Sequence, residues 1–314
     1  MRFSNLALRV LVALVGIPVI LLLTLAGGFP FFALVLLLST LALHEYYGLA
    51  RAKGARPQIA AGIGLGILIS LGFIYARVRD LLLSLLQQAE IAVPAPSMAQ
   101  YLLILALLGV PLLLVVELFR NKGSALTNIA ATVFGALYVS FFFGSLVGIR
   151  ELFIPEDFPV YAHFARLTVS DEIASAVYRW GGHTVVVFFA SVWLCDSAAY
   201  FAGRAFGRHK LFERVSPNKT WEGALAGFLF AVAAFILGKE LFLSYLTVGQ
   251  AAVCGALVGI FGQIGDLAES LLKRDAGVKD SSALIPGHGG VLDRFDSVLF
   301  AAPLVYFYLD FVVF

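Results

Sequence analysis

One stretch of this hydrophobic chain, residues 265–297, combines ionisable side chains whose types and spacing could do chemistry. Four polar side chains in its first part recur at spacings of three and four: Asp266, Glu269, Ser270 and Lys273. That spacing places them on one face of a helix. Each charge in a membrane helix costs roughly 2.5–3.5 kcal/mol to insert, so such groups usually mark an ion or substrate site.

The second part of the stretch combines basic groups, a glycine-rich turn and paired acids. They are Lys273, Arg274, Lys279, Asp280, the turn Gly287-His288-Gly289-Gly290, and then Asp293, Arg294 and Asp296. Backbone N–H groups of glycine-rich turns bind anions, and carboxylate oxygens are preferred ligands of Mg²⁺. The combination indicates a site for Mg²⁺ and phosphate groups.

Composition sets the class of protein that must hold this site. Of the 314 residues 61% are hydrophobic and 13% are charged, and the mean hydropathy is +0.93. These values predict an all-α, polytopic integral membrane protein, since about 20 residues suffice for one span. The net charge of +2 and the scattered basic residues give no reason to expect a nucleic-acid partner.

We expect about nine transmembrane helices in a single membrane domain, residues 1–314. Residues 1–182 would form N-terminal helices and a polar loop, and residues 183–314 a catalytic half. The predicted spans are residues 10–25, 29–43, 59–76, 101–118, 127–149, 183–206, 222–246, 248–272 and 297–314.

Alternate assignment of the loops leaves most of the 22 Lys and Arg residues on one side, which the positive-inside rule makes cytoplasmic. The N-terminus is then cytoplasmic and the C-terminus external. The loops at residues 207–221 and 273–294 share the cytoplasmic face. The expected location is the cytoplasmic (inner) membrane, with the site facing the cytoplasm.

Two acids outside the main stretch have open interpretations. Asp196, Tyr200 and Arg204 lie at helical spacing in the sixth span, so they can face protein or water, and an Asp196–Arg204 ion pair is a structural alternative. Glu45 near the end of the second span has a plain interpretation as a solvated or paired carboxylate at the membrane boundary.

Two motifs carry a family resemblance. One reads Ser270-x-Leu272-Lys273-Arg274-x4-Lys279-Asp280-x-Ser282-x2-Ile285-Pro286-x-His288-Gly289-Gly290-Val291-x-Asp293-Arg294-Phe295-Asp296. The other reads Asp196-x-x-Ala199-Tyr200-x-x-Gly203-Arg204-x-x-Gly207, followed by Ser216-Pro217-Asn218-Lys219-Thr220-x-Glu222-Gly223. Together they closely resemble the signature of phosphatidate cytidylyltransferases.

The resemblance implies transfer of a cytidylyl group from CTP to phosphatidate, a membrane lipid, with Mg²⁺ as cofactor, in phospholipid biosynthesis. It implies Asp266 and Asp293 as metal ligands, with Asp296 as a further candidate because it lies three residues beyond Asp293. Glu269 is better explained as a partner of Lys273 at i+4.

Phosphate and nucleotide contacts are expected from the remaining motif residues. Lys219, Lys273 and Arg294 are candidate catalytic cations beside the two aspartates. The expected substrate-binding residues are Ser216, Asn218, Lys219, Arg204, Arg274, Lys279, His288, Gly289 and Gly290. Each basic residue could instead serve only as a cytoplasmic membrane anchor. Residues 216–218 could instead simply form a turn.

Two other functions remain open from the sequence. A CTP-dependent lipid kinase would share the helices, CTP and Mg²⁺ but attack the γ-phosphate. A transporter would also have polar residues in broken helices. Acyl-chain preference and oligomeric state are open too, and a homodimer is among the arrangements allowed.

Overall fold

Apolar sequence forms helix because backbone N–H and C=O groups have no water to bind in hydrocarbon and must pair within their own segment. The computed structural model describes residues 5–88, 96–153, 171–285, 287 and 289–314. Its helices are α1 (Asn5–Ala26), α2 (Gly28–Ala52), α3 (Ile59–Gly72), α4 (Tyr75–Gln88), α5 (Met98–Arg120), α6 (Ala125–Glu151), α7 (Asp171–Phe206), α8 (Trp221–Phe242), α9 (Val248–Asp275) and α10 (Leu292–Val313). Two strands, β1 (Lys210–Phe212) and β2 (Ser216–Thr220), lie between α7 and α8.

Seven helices in the described ranges are long and apolar enough to cross a membrane, or eight if the bent pair α3 and α4 forms one span. Helix α1 adds a shorter apolar stretch, Val12–Ala26. The all-α polytopic class is therefore confirmed. The number nine and the orientation of the termini stay predictions.

The third predicted span, residues 59–76, ends earlier than expected. Helix α3 stops at Gly72, and α4 leaves it at 87°. Helix α4 has no buried residue, and it contacts the bundle through its first turn, where Arg77 pairs with Glu151 and Tyr75 stacks on Tyr101. The sequence at 59–76 is apolar throughout and gave no sign of this bend.

Several other boundaries also differ from the prediction. Helix α2 continues to Ala52 instead of ending at residue 43, and α7 begins at Asp171 instead of residue 183, so the end of the predicted polar loop is helical. Helix α8 ends at Phe242 instead of residue 246, α9 continues through Lys273 and Arg274 to Asp275, and α10 begins at Leu292 instead of residue 297. The basic residues predicted to follow α9 and the acids predicted to precede α10 therefore lie on helices. Helical backbone holds their side chains more rigidly than a loop would.

Close helix contacts bring the second half of the chain together. A Cβ on Gly227 of α8 would lie 2.9 Å from the backbone oxygen of Cys195 on α7. A Cβ on Gly255 of α9 would lie 2.5 Å from the Cα of Val232 on α8. Only glycine permits backbones this close, and the contacts fix α7, α8 and α9 against one another.

A buried arginine ties the first half to the core. Arg150 near the end of α6 is fully buried. Its Nε donates to the backbone oxygen of Thr24 at 2.8 Å, and its guanidinium lies 4.0 Å from the ring centroid of Tyr178. These contacts join the end of α1 to α6 and α7 and satisfy a group that would be costly to bury alone.

The predicted topology can be tested with single cysteines. Phe212 on β1 and Gln87 on α4 are both exposed, and the loop assignment places them on opposite sides. In a background with Cys195 and Cys254 replaced, Phe212→Cys should react with an impermeant maleimide only from the cytoplasmic side of oriented vesicles. Gln87→Cys should react only from outside. Labelling of residue 212 from outside would contradict the orientation.

Candidate active site

The loop predicted at residues 207–221 forms a β-hairpin. Strands β1 and β2 pair antiparallel, with Lys210 opposite Thr220 and Phe212 opposite Ser216. Thr220 then caps α8 by accepting a hydrogen bond from the backbone N–H of Gly223 at 3.2 Å. Strands of three and five residues are too short for an alternating pattern, so the sequence gave no indication of them.

An ion pair joins the hairpin to α9. Lys219 Nζ on β2 lies 2.6 Å from Asp266 Oδ2, and both side chains are partly exposed. Lys219 belongs to the second sequence motif, and Asp266 lies four residues before the first, so the fold brings both regions into one site.

Two further acids lie beside this pair. Asp196 on α7 and Asp296 on α10 are within electrostatic interaction range of Asp266 and of Lys219. Arg294 also lies within range of Asp196. Three carboxylates from three helices thus lie within electrostatic range of one another, and their combined negative charge is attractive to a cation.

A second, buried ion cluster lies deeper between α9 and α10. Lys273 Nζ contacts Glu269 Oε2, one turn earlier on α9, and lies 2.6 Å from Asp293 Oδ1. Glu269 is fully buried, and Asp293 and Lys273 are nearly so. The predicted pairing of Glu269 with Lys273 is confirmed, but in a buried setting instead of an exposed one.

The second carboxylate oxygen of Asp293, Oδ2, accepts hydrogen bonds from donors in the loop between α9 and α10. Asp293 Oδ2 accepts from the backbone N–H of Ser281 at 2.9 Å, from its hydroxyl at 2.9 Å, and from the N–H of Gly290 at 2.8 Å. Only Oδ1, which contacts Lys273, has a lone pair left for a metal ion.

Glu45 on α2 also reaches this loop, and sequence reasoning missed it. Its carboxylate accepts hydrogen bonds from Ser281, Ser282, Val291 and Leu292. The side chain is 5% exposed, so of the two interpretations, solvated or paired, the solvated one was wrong and the carboxylate is paired with protein donors. No local pattern could reveal this, because the partners lie more than 230 residues away along the chain.

Comparison with known proteins shows which proteins this chain resembles. The chain matches the model of the cytidylyltransferase family over residues 7–312. A phosphatidate cytidylyltransferase from Synechocystis sp. is 33% identical over 304 residues, covering 96% of this chain and 95% of that protein.

This chain belongs to the cytidylyltransferase family. It is therefore a nucleotidyltransferase. Two further relatives are similar over shorter parts. A phosphatidate cytidylyltransferase of Brucella suis biovar 1 is 48% identical over 47% of this chain and 54% of that protein. One of Bacillus subtilis is 45% identical over 39% of this chain and 46% of that protein. The predicted family is confirmed.

The remaining predicted binding residues of the cytidylyltransferase differ in their exposure to solvent. Five are exposed: Arg204, Asn218, Arg274, Lys279 and Arg294. Ser216 is partly buried and Gly290 is buried. Gly289 lies in a turn with φ +85°, and its backbone oxygen accepts a hydrogen bond from the backbone N–H of Ile285 at 2.8 Å. His288 lies outside the described residues.

Arg204 does not form the alternative pair with Asp196. Its Nη1 donates instead to the hydroxyl of Tyr200 at 3.3 Å.

The buried cluster of Lys273, Glu269 and Asp293 should stabilise the folded cytidylyltransferase. Lys273→Met would leave Glu269 and Asp293 without their cation, and loss of one partner of a buried ion pair typically costs about 3–5 kcal/mol. Lys53→Met is the matched control, because Lys53 pairs at 3.1 Å with Asp275 of the same helix α9 but both side chains are exposed. Exposed pairs contribute about 0–1 kcal/mol.

Thermal unfolding in detergent measures both variants. We expect a large drop in the midpoint for Lys273→Met and little change for Lys53→Met. Equal midpoints would show that the buried cluster does not hold α9 and α10 together.

Proposed function

We propose that this cytidylyltransferase transfers the cytidylyl group of CTP to the phosphate of phosphatidate, forming CDP-diacylglycerol and pyrophosphate with Mg²⁺. The observation that carries the proposal is the Lys219–Asp266 ion pair between the hairpin and α9, with Asp196 and Asp296 within electrostatic range of both residues. Relatives similar over this region are named phosphatidate cytidylyltransferase. The names suggest the substrates, and the geometry supplies groups suited to them.

The donor set fits Mg²⁺. Within the described ranges, no group of three or more His, Cys, Asp or Glu side chains is arranged to hold a metal ion alone. Mg²⁺ does not require such a cage, because one or two carboxylates with waters and substrate phosphates complete its octahedron. Asp266 and Asp296 would hold it, and Asp293 could add its Oδ1. When bound, Mg²⁺ would neutralise phosphate charge and polarise the α-phosphate.

The chain's own residues would handle the remaining charge. An oxygen of the phosphatidate phosphate attacks the α-phosphorus of CTP, and the bond from that phosphorus to the bridging oxygen of the β-phosphate breaks as pyrophosphate leaves. The attacking phosphate is already ionised near neutral pH, so no general base is needed. Lys219, Arg204 and Arg294 would reduce the repulsion between the two anionic phosphates.

Substrate access follows from the position of the site at helix ends. The acyl chains of phosphatidate would stay in the bilayer while its phosphate reaches the acids between α7, α9 and α10. Ser216 and Asn218 on β2 would hydrogen-bond CTP, with Arg274 and Lys279 beside them. The charge distribution supports a site facing the cytoplasm in the inner membrane, where it would serve phospholipid biosynthesis.

Product analysis tests the reaction. Purified protein incubated with CTP, Mg²⁺ and phosphatidate should release pyrophosphate and form CDP-diacylglycerol in equal amounts. Release of CDP would instead identify a kinase that attacks the γ-phosphate, and would overturn the proposal.

Asp266→Asn should abolish turnover while the protein still folds. It removes one anionic ligand that also pairs with Lys219, so we expect a loss of roughly hundredfold or more in kcat. Asp275→Asn is the control, since Asp275 is an exposed acid on the same helix that pairs with Lys53. Near-normal activity of Asp266→Asn would remove Asp266 from the metal site.

Lys219→Ala and Arg294→Ala should each lower kcat/KM for CTP, whereas Arg51→Ala should leave it nearly unchanged. All three are basic and assigned to the same side, but only the first two lie at the acids. A positioned phosphate contact is worth a few kcal/mol, or roughly a hundredfold in rate, and a solvated charge little. Equal losses in all three variants, at matched membrane incorporation and saturating Mg²⁺, would contradict the site assignment.

A further inference from the structure

We propose that Glu45, on α2 in the N-terminal half, is a positioning residue that sets the loop and first helical turn carrying the catalytic acids of α10. Its Oε1 accepts from the Ser282 hydroxyl at 2.7 Å and from the N–H of Val291 at 3.0 Å. Its Oε2 accepts from the Ser281 hydroxyl at 3.0 Å and from the N–H of Leu292 at 2.8 Å. The inference rests on the proposed function for its link to turnover.

The arrangement suits a carboxylate and no other common side chain. Each oxygen lies beside one hydroxyl and one backbone N–H, and an ionised carboxylate accepts hydrogen bonds only. The single proton of the Ser281 hydroxyl is shared between Glu45 Oε2 and Asp293 Oδ2. The two backbone donors belong to the start of α10, where N–H groups lack partners inside the helix and the helix dipole favours negative charge. Glu45 thus caps α10 from a distant helix.

The same loop connects Glu45 directly to Asp293. The Ser281 hydroxyl lies 3.0 Å from Glu45 Oε2 and 2.9 Å from Asp293 Oδ2. A Cβ on Gly290 would collide with both the Ser281 hydroxyl and Glu45 Oε2. Movement of Glu45 therefore moves the loop, and with it the turn that carries Asp293, Arg294 and Asp296.

A consequence concerns the predicted division of the chain. Residues 183–314 contain the motifs, but a side chain from residues 1–182 holds their last segment in place. The N-terminal helices would then contribute to turnover as well as to membrane insertion.

Glu45→Gln tests the role with almost no change in volume. The serine hydroxyls can rotate to accept from the new amide, but the backbone N–H of Val291 or Leu292 would face an NH₂ group and lose its acceptor. Displacement of reacting groups by a fraction of an ångström typically costs roughly tenfold to a hundredfold in rate. We expect a kcat loss in that range with a much smaller change in KM for CTP.

Glu117→Gln is the matched control. Glu117 is 6% exposed and accepts from Gln58 at 2.8 Å, Arg120 at 2.7 Å and Asn128 at 2.6 Å. It is thus an equally buried, equally hydrogen-bonded carboxylate whose partners belong to α5, α6 and the loop before α3. Its variant should lower stability but change kcat of the folded enzyme less than roughly threefold.

Two readouts separate the role of Glu45 from the reaction itself. Hydrogen–deuterium exchange of peptides covering residues 281–292 should rise in Glu45→Gln and stay unchanged in Glu117→Gln, and kcat should fall only in the former. Ser282→Ala removes one of the four hydrogen bonds to Glu45, so it should show a smaller rise in exchange and a smaller loss of kcat. It replaces Glu45→Gln as the test variant if Glu45→Gln fails to fold.

Each outcome is decisive. Unchanged exchange in Glu45→Gln, or equal kcat losses in Glu45→Gln and Glu117→Gln, would overturn the positioning role while the reaction stands. A third outcome separates the two proposals. If exchange rises only at residues 281–292 in Glu45→Gln, but the wild-type protein releases no pyrophosphate, then the positioning of the loop by Glu45 is supported and the proposed function is overturned.

Discussion

The buried ammonium of Lys273 is the interaction on which the rest of the site depends. A charge in the protein interior is tolerated only with its partners in good geometry. Lys273 has one partner on its own helix, Glu269, and one on α10, Asp293. Helices α9 and α10 can therefore pack in few registers, and the register that satisfies Lys273 also brings Asp266 and Asp296 close together.

Apolar packing enforces the same register from the other side. A Cβ on Gly265 of α9 would lie 2.5 Å from the backbone oxygen of Asp296 on α10, so the two helices touch backbone to backbone at the site. Glycines on α8 allow similar approach to α7, which carries Asp196. The acids thus stand on rigid helices instead of flexible loops, which is the arrangement that holds reacting groups most accurately.

The acids of the chain then divide into two kinds. Asp196, Asp266 and Asp296 remain accessible and face Lys219, so they can exchange partners when a metal ion or phosphate arrives. Glu45 and Asp293 are buried with protein donors at both oxygens, whereas Glu269 is buried with only the ammonium of Lys273 at one oxygen. Burial of the second set is costly, and its hydrogen bonds offset that cost by fixing the loop and helix ends around the first set. This division supports the proposed cytidylyl transfer because the metal and phosphates would meet a preformed site.

The sequence alone determined the protein class and its family, and it predicted where the site lies. Composition decides membrane insertion whatever the tertiary arrangement, and charges stand out in an apolar chain because each is costly there. The i+4 pairing of Glu269 with Lys273 was also predictable, since helical spacing is local.

Only the tertiary structure decided which partners meet across the chain. The β-hairpin, the bend after Gly72, the Lys219–Asp266 pair and the role of Glu45 all depend on packing between segments far apart in sequence. A carboxylate near a helix end has the same local pattern whether water or a distant loop surrounds it. Its environment is set by the helices that pack against it, and periodicity within one segment carries no information about them.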